Sequence, residues 1–213
     1  MDAARVCDEA IRLGRILGAL IPNDAEVQGL SALMELQAAR LNARTGPDGT
    51  PVLLLDQDRS RWDVTHLRRG LTVLERAEAL AVASSNGKPG QYLLQAAIAA
   101  CHARAVTAQD TDWVRIAGLY EQLARLTGSP VVELNRAVAL GMAHGPAAGL
   151  SLVDQLVTLP ALRGYHLLPS VRGDLLDKLG RHQEARAEFE RAASMTKNHR
   201  ERTLLLERAA ALA

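Results

Sequence analysis

The sequence predicts an all-α protein, and three observations carry that prediction. Ala and Leu supply 71 of the 213 residues (36 Ala, 35 Leu), while aromatic residues are 3%. Such a core packs helices closely and offers few of the β-branched and ring pairs that build sheets. Apolar residues recur at helical spacing through most of the chain. The periodic stretches are separated by short turns rich in Pro, Gly, Asn and Asp.

The first helix is expected over 3–21, where Val6, Ala10, Ile11, Leu13, Leu17, Leu20 and Ile21 keep that spacing. Gly14 and Gly18 within it suit close approach of a second helix. Pro22-Asn23-Asp24 stops it and caps a helix over about 25–44. Residues 45–62 are the only candidate for strand content. They hold turn chemistry at Thr45-Gly46-Pro47-Asp48-Gly49, an extended apolar run at Pro51–Leu55, and a charge-dense stretch around Trp62. A connection this long points to function or disorder. Leu53, Leu54, Leu55 and Trp62 are costly to leave in water, so the loop is expected to pack down. Asp63 then caps a helix over 64–83, and Ser84–Gly90 ends it. Helix 91–105 follows. Asp110-Thr111-Asp112 caps 113–127, and Gly128-Ser129-Pro130 opens 130–143. The next helix runs from Pro146 to about 158, and helices over 165–179, 181–195 and 198–211 close the chain.

The last pair carries a repeat signal: Gly173-x2-Leu176-x3-Gly180-x4-Ala185-x3-Phe189-x2-Ala192. This spacing resembles the tetratricopeptide repeat, in which small residues sit where two helices cross and larger ones fill the core between repeats. Ala137-x2-Leu140-x3-His144-x4-Gly149-x3-Val153-x2-Leu156 repeats the frame less closely, and Ile116-x3-Tyr120-x2-Leu123 fits only its second half. The expected architecture is about ten helices, paired as hairpins and stacked as a tetratricopeptide-like right-handed superhelix. Residues 1–88 would form N-terminal hairpins with the packed loop 45–62, and residues 89–213 the repeats, all in one continuous unit.

A formal charge of +1 argues against direct DNA binding, which usually comes with a strong basic excess. Cys7 and Cys101 stand alone, so neither a disulfide framework nor a structural zinc site is expected. Charges inside residues 1–21 exclude a signal peptide, and no apolar run is long enough for a membrane span. A cytoplasmic location follows. No two of the six His lie three or four residues apart, and neither a nucleophile motif nor a phosphate-binding Gly-rich loop occurs. The sequence therefore predicts no catalytic residues, no cofactor and no metal.

Asp58, Arg59, Arg61, Trp62 and Asp63 are the leading binding candidates. One reading is a recognition loop, since Arg and Trp dominate interface hot spots. The favoured reading is a structural latch, with Trp62 in the core and the arginines paired to carboxylates or helix-end carbonyls. His102, Asn135, Arg136, Tyr165 and His166 are candidates for a groove on the inner helices, or for hydrogen bonds between helices.

Several stretches together resemble the C-terminal extension of bacterial RNA polymerase sigma factors of the extracytoplasmic-function type. They are Cys7–Gly14, Gln57–Asp63, Leu94–Ala100 with His102, Thr111–Trp113, Ser129–Val132 with Asn135–Ala139, Gly145–Leu150 and Tyr165–Leu168. The resemblance covers nearly the whole chain. It implies a tetratricopeptide-like tail that regulates transcription initiation through protein contacts. Its partners would be the sigma core domains in cis, RNA polymerase or a regulatory protein. The promoter-melting and promoter-recognition domains of such factors have no counterpart in these residues. The alternative function is small-ligand sensing, with a pocket between the 24–83 hairpin and the repeats.

Overall fold

A computed structural model of the protein describes residues 3–46, 49–50, 52–84 and 87–212. The turns read at Pro47–Asp48 and Ser85–Asn86 and the start of the run at Pro51 lie outside those residues. Among the described residues the fold is all-helical, with ten α-helices and no strand. They are α1 (Ala3–Leu20), α2 (Ala25–Ala38), α3 (Val64–Ala83), α4 (Gln91–Arg104), α5 (Trp113–Thr127), α6 (Pro130–His144), α7 (Pro146–Leu156), α8 (Leu167–Lys178), α9 (His182–Met195) and α10 (His199–Ala210). The chain forms two compact units, Met1–Arg115 and Ile116–Ala213. The sequence places the division after residue 88, but α4 packs on α2 and stays with the first unit.

In the first unit α2 is the hub, touching α1, α3 and α4. Its N-terminus is capped by Asp24, whose carboxylate accepts from the Glu26 and Val27 amides at 2.8 and 2.9 Å. Gly14 and Gly18 on α1 let α2 come close. Ser31 Oγ donates to the Gly14 carbonyl at 3.0 Å, and Gln28 Nε2 to the Gly18 carbonyl at 2.9 Å. A side chain on Gly29 would meet the Leu93 backbone of α4 at 2.7 Å, so α2 and α4 are nearly in backbone contact. The small residues Ala32, Ala77, Ala96 and Ala100 fill the interface, with Leu36, Leu74 and Leu93 between them.

Glu35 of α2 is buried with 3% exposure, which for a carboxylate demands partners. Arg15 Nε of α1 donates to Oε1 at 2.6 Å, and His66 Nδ1 of α3 lies 2.6 Å from Oε2. Burial pushes this carboxyl up, but the bonds from Arg15 and His66 outweigh it and hold the group below the ordinary glutamate value. One side chain thus ties three helices.

The second unit stacks the hairpin α6–α7 on the hairpin α8–α9 through α7 and α8, with α10 against α9. Leu176, Ala185, Phe189 and Ala192 are fully buried. Gly173 faces the Phe189 ring so closely that a Cβ there would stand 2.8 Å from Cε1. Gly180 ends the α8 turn with φ +73, a conformation that favours glycine. In the weaker repeat, a Cβ on Gly149 would lie 2.6 Å from the Ala137 carbonyl oxygen and 3.1 Å from Gly141 Cα. Arg172 of α8 bridges Asp154 of α7 and Glu188 of α9, both at 2.8 Å.

These crossings give opposite expectations for two helical glycines. Gly149→Ala should lower stability by about 1–3 kcal/mol, because backbone atoms must move. Gly118→Ala, with open space where its Cβ would go, should gain about 0.5–1 kcal/mol from helix propensity. Thermal melts of the two variants check the pair.

Candidate functional site

The segment after α2 folds back on itself through main-chain bonds. The Val52 amide donates to the Arg44 carbonyl at 2.9 Å, and the Asp63 amide to the Ala39 carbonyl at 2.8 Å. Between these closures lie two single turns of 3-10 helix, Leu54–Asp56 and Arg59–Arg61. The extended apolar run is therefore not a strand. Two of the three leucines do not anchor the loop as expected: Leu53 is 57% exposed and Leu55 is exposed as well, while Leu54 is half-buried. Tight 3-10 turning carries them outward. Trp62, at 4% exposure, is the apolar anchor. Gln57, also buried, donates to the Val52 carbonyl at 3.2 Å and accepts from Arg40 Nε at 3.3 Å.

The five candidates of the loop separate by role. Asp58 is exposed and accepts from the Ser60 amide and hydroxyl at 2.9 and 2.6 Å. Asp63 caps α3, accepting from the Thr65 and His66 amides at 2.8 and 2.9 Å. These bonds hold both carboxyls below the usual aspartate value. One oxygen of each carboxyl takes both of its bonds, and neither carboxyl forms the expected ion pair with Arg59 or Arg61 among the described residues. Arg59 Nη1 instead reaches the end of α4, donating to the His102 carbonyl at 2.5 Å and the Ala105 carbonyl at 2.9 Å. A cation on the last carbonyls of a helix is favourable twice over, through the bonds and the helix dipole. Arg61, expected to be anchored in the same way, is exposed; its amide donates to the Asp58 carbonyl at 3.2 Å, but its guanidinium makes no hydrogen bond among the described residues and only lends its charge to Asp58.

Around Trp62 the chain assembles a cationic, aromatic cluster. The Arg59 guanidinium carbon lies 4.7 Å from the centre of the Trp62 ring and that of Arg40 lies 5.7 Å away, both over the ring. Arg44, one turn beyond Arg40, bonds to Gln37. His102 is buried beneath, with Trp113 edge-on to its ring at 5.2 Å. Burial, then Arg44 and Arg59, lowers the Arg40 guanidinium to about 10. Burial, then Arg40 and Arg59, drives His102 down to about 4, so it is neutral at pH 7. Five side-chain atoms here are buried without a hydrogen-bond partner: Arg44 Nε, Arg59 Nη2, Trp62 Nε1, His102 Nδ1 and Thr111 Oγ1. Three stretches far apart in sequence, Gln57–Asp63, His102 and Thr111–Trp113, thus meet at one place.

The other groove candidates belong to the second unit and show no common site among the described residues. Asn135 is exposed, and Arg136 pairs with Glu133 at 2.9 Å along its own helix. Tyr165 and His166 are neighbours with tilted rings 6.1 Å apart. His166 Nε2 stands 3.0 Å from Glu201, outside hydrogen-bond geometry. The hollow that does open in this unit is lined by Met142, Asp174, Lys178 and Arg208 instead. No group of three or more metal-ligating side chains occurs among the described residues, and none of their helices is long and apolar enough to cross a membrane.

Residues 2–78 match a family of unknown function, DUF6596. That span holds α1, α2 and the whole loop. Over 196 residues the chain is 45% identical to an uncharacterized protein of Rhizobium meliloti (strain 1021), an alignment that takes in 92% of this chain and 44% of that protein. The chain spans less than half the length of this curated relative.

Sequence reasoning missed Arg40, Arg44 and Gln57. A signal was present: Arg40 and Arg44 stand one helical turn apart, and no acid occurs between Glu35 and Asp48. Such unrelieved like charges repel.

Trp62→Ala should cost about 3–5 kcal/mol, as truncation of a large buried ring does. Arg59→Ala should cost about 1–3 kcal/mol, because two helix-end carbonyls lose their donor. Chemical denaturation of each variant measures both. His102 gives a pH signature. Its folded-state value lies below its unfolded one, so the unfolded chain takes up the proton first as the medium is acidified. Stability from this group is complete above about pH 6.5 and is lost on descent to about pH 4. His102→Gln should flatten the stability profile between those limits, as read by thermal melts at stepped pH.

Proposed function

We propose that this chain is a protein-interaction module that regulates a bacterial sigma factor of the extracytoplasmic-function type, working in the cytoplasm through protein contacts and without binding DNA itself. The resemblance of its motifs to the tails of such factors supplies the context. The observation that carries the interaction reading is the outer face of α1. Val6, Leu13, Ile16, Leu17 and Leu20 keep the spacing of one helical stripe and all are exposed, Leu13 at 52% and Leu20 at 74%. Gly14, Gly18 and Arg15 face α2 on another side, so the stripe is not the one that builds the first unit. Five large apolar residues in a row on one helix form the kind of patch that partners cover. The occupant in this reading is the sigma core, in cis.

The second reading, a small-ligand sensor, is favoured by the buried and unpartnered donors around Trp62. In neither reading does the chain act as an enzyme.

The test uses the sigma domains of the same host, expressed apart from this chain. The wild-type chain should capture them. The double variant Leu13→Glu, Leu20→Glu should melt within about 0.5 kcal/mol of wild type, since exposed sites bear little stability, and should lose capture. Undiminished capture by the double variant, or none by wild type, rejects the reading.

A further inference from the structure

Three guanidiniums, those of Arg40, Arg44 and Arg59, share one half-buried place, and among the described residues every hydrogen-bond acceptor they have is neutral. Arg40 has the Gln57 amide oxygen, Arg44 the Gln37 amide oxygen, and Arg59 the carbonyls of His102 and Ala105. Many arginines elsewhere are treated differently: Arg12, Arg15, Arg172, Arg181, Arg186 and Arg208 each hold a carboxylate, while Arg202, a single guanidinium, donates to the carbonyls of Ala193 and Thr196. At the cluster the only acidic group felt among the described residues is Asp110, which is exposed and already bonded to Thr107. Burial and mutual repulsion both act on Arg40.

Two guanidinium nitrogens, Arg44 Nε and Arg59 Nη2, are buried with nothing to donate to. Trp62 Nε1, in a side chain more than nine-tenths buried, is a third such donor. Buried donors are nearly always satisfied, by protein, water or an ion. Water would complete the bonds but leave three like charges facing one another in a place of low dielectric. An anion does both, and planar guanidiniums match the paired oxygens of a carboxylate or phosphate.

We infer that Arg40, Arg44 and Arg59, with Trp62 Nε1, form a binding site for a small oxyanion, a carboxylate or a phosphate. The site is independent of the α1 stripe and of the sigma-factor reading. The ligand holds the loop against the end of α4 by completing the charge balance of the latch.

The experiment titrates the full chain with inorganic phosphate and, separately, with succinate, keeping ionic strength constant with sodium chloride. Binding is read by the melting temperature and by Trp62 emission in a Trp113→Phe background. One of the two anions should raise the melting temperature saturably and change the emission, and which one does so identifies the source of the oxyanion. Arg44→Gln should weaken that affinity by about tenfold or more, the loss of one charge-assisted contact. Without added anion the same variant should be at least as stable as wild type, because a repelling charge is gone. A purely structural arginine would instead lower stability when replaced. Absence of a saturable response to either anion in the wild-type chain overturns the inference, whatever the variant does. So does equal affinity in a folded Arg44→Gln chain.

Discussion

The helices of this protein come close enough for backbone to meet backbone, and the rest of the structure follows from that constraint. With one Phe, two Trp and three Tyr, the core has few large plugs to hold helices apart. Gly29 beside Leu93, Gly149 beside Ala137 and Gly173 beside Phe189 mark where the chain gives up its side chains to close the gap. Packing at this density makes each buried methylene count and leaves little tolerance for added volume. It also leaves thin cores whose edges need polar ties. Glu35 between Arg15 and His66, and Arg172 between Asp154 and Glu188, are such ties, each joining three helices through one side chain.

The loop after α2 follows another logic. Its hydrophobic anchor is one indole, and most of its order comes from donors meeting carbonyls: Val52 to Arg44, Asp63 to Ala39, Arg59 to the end of α4. The same economy that satisfies these groups leaves a residue of buried donors and unbalanced positive charge around Trp62. Structure and ligand demand therefore coincide in one set of residues, so a ligand that met the demand would also fix the loop.

What could be read from the sequence was what is encoded locally. Most helices fall close to their expected limits because periodicity and caps such as Asp24 and Asp63 act within a few residues. The exception is α2, which ends at Ala38 rather than near Arg44, where the chain tightens into a 3-10 turn over Leu41–Ala43. The crossing at Gly173 was legible because its partners, Ala185 and Phe189, lie on the next helix. Leu53 and Leu55 were misjudged because hydrophobicity alone does not say which way a 3-10 turn will face them. Arg61 was misjudged because it stays exposed, where its charge acts on Asp58 without a fixed bond. Arg59 could be read as anchored, but not where, because its acceptors lie more than forty residues away. The division between units was read after residue 88 rather than after Arg115 because α4 is held by α2 across the whole length of α3.

That long reach has a consequence for how the first unit forms. Gly90, which precedes α4, has no side chain to cap the helix, and a Cβ there would strike the Glu26 carboxyl at 2.2 Å. Glu26 of α2 supplies the missing cap, accepting from the Tyr92 amide at 2.9 Å and the Leu93 amide at 3.0 Å. The first turn of α4 is thus completed by a residue 66 positions earlier in the chain. A nascent α4 peptide carries no such cap and frays at that end. Closing so long a loop costs entropy that only the finished α2–α4 contact returns. Docking of α2 onto α4 therefore belongs to the late, non-local part of folding, after the hairpin of α2 and α3 has provided the surface that receives it.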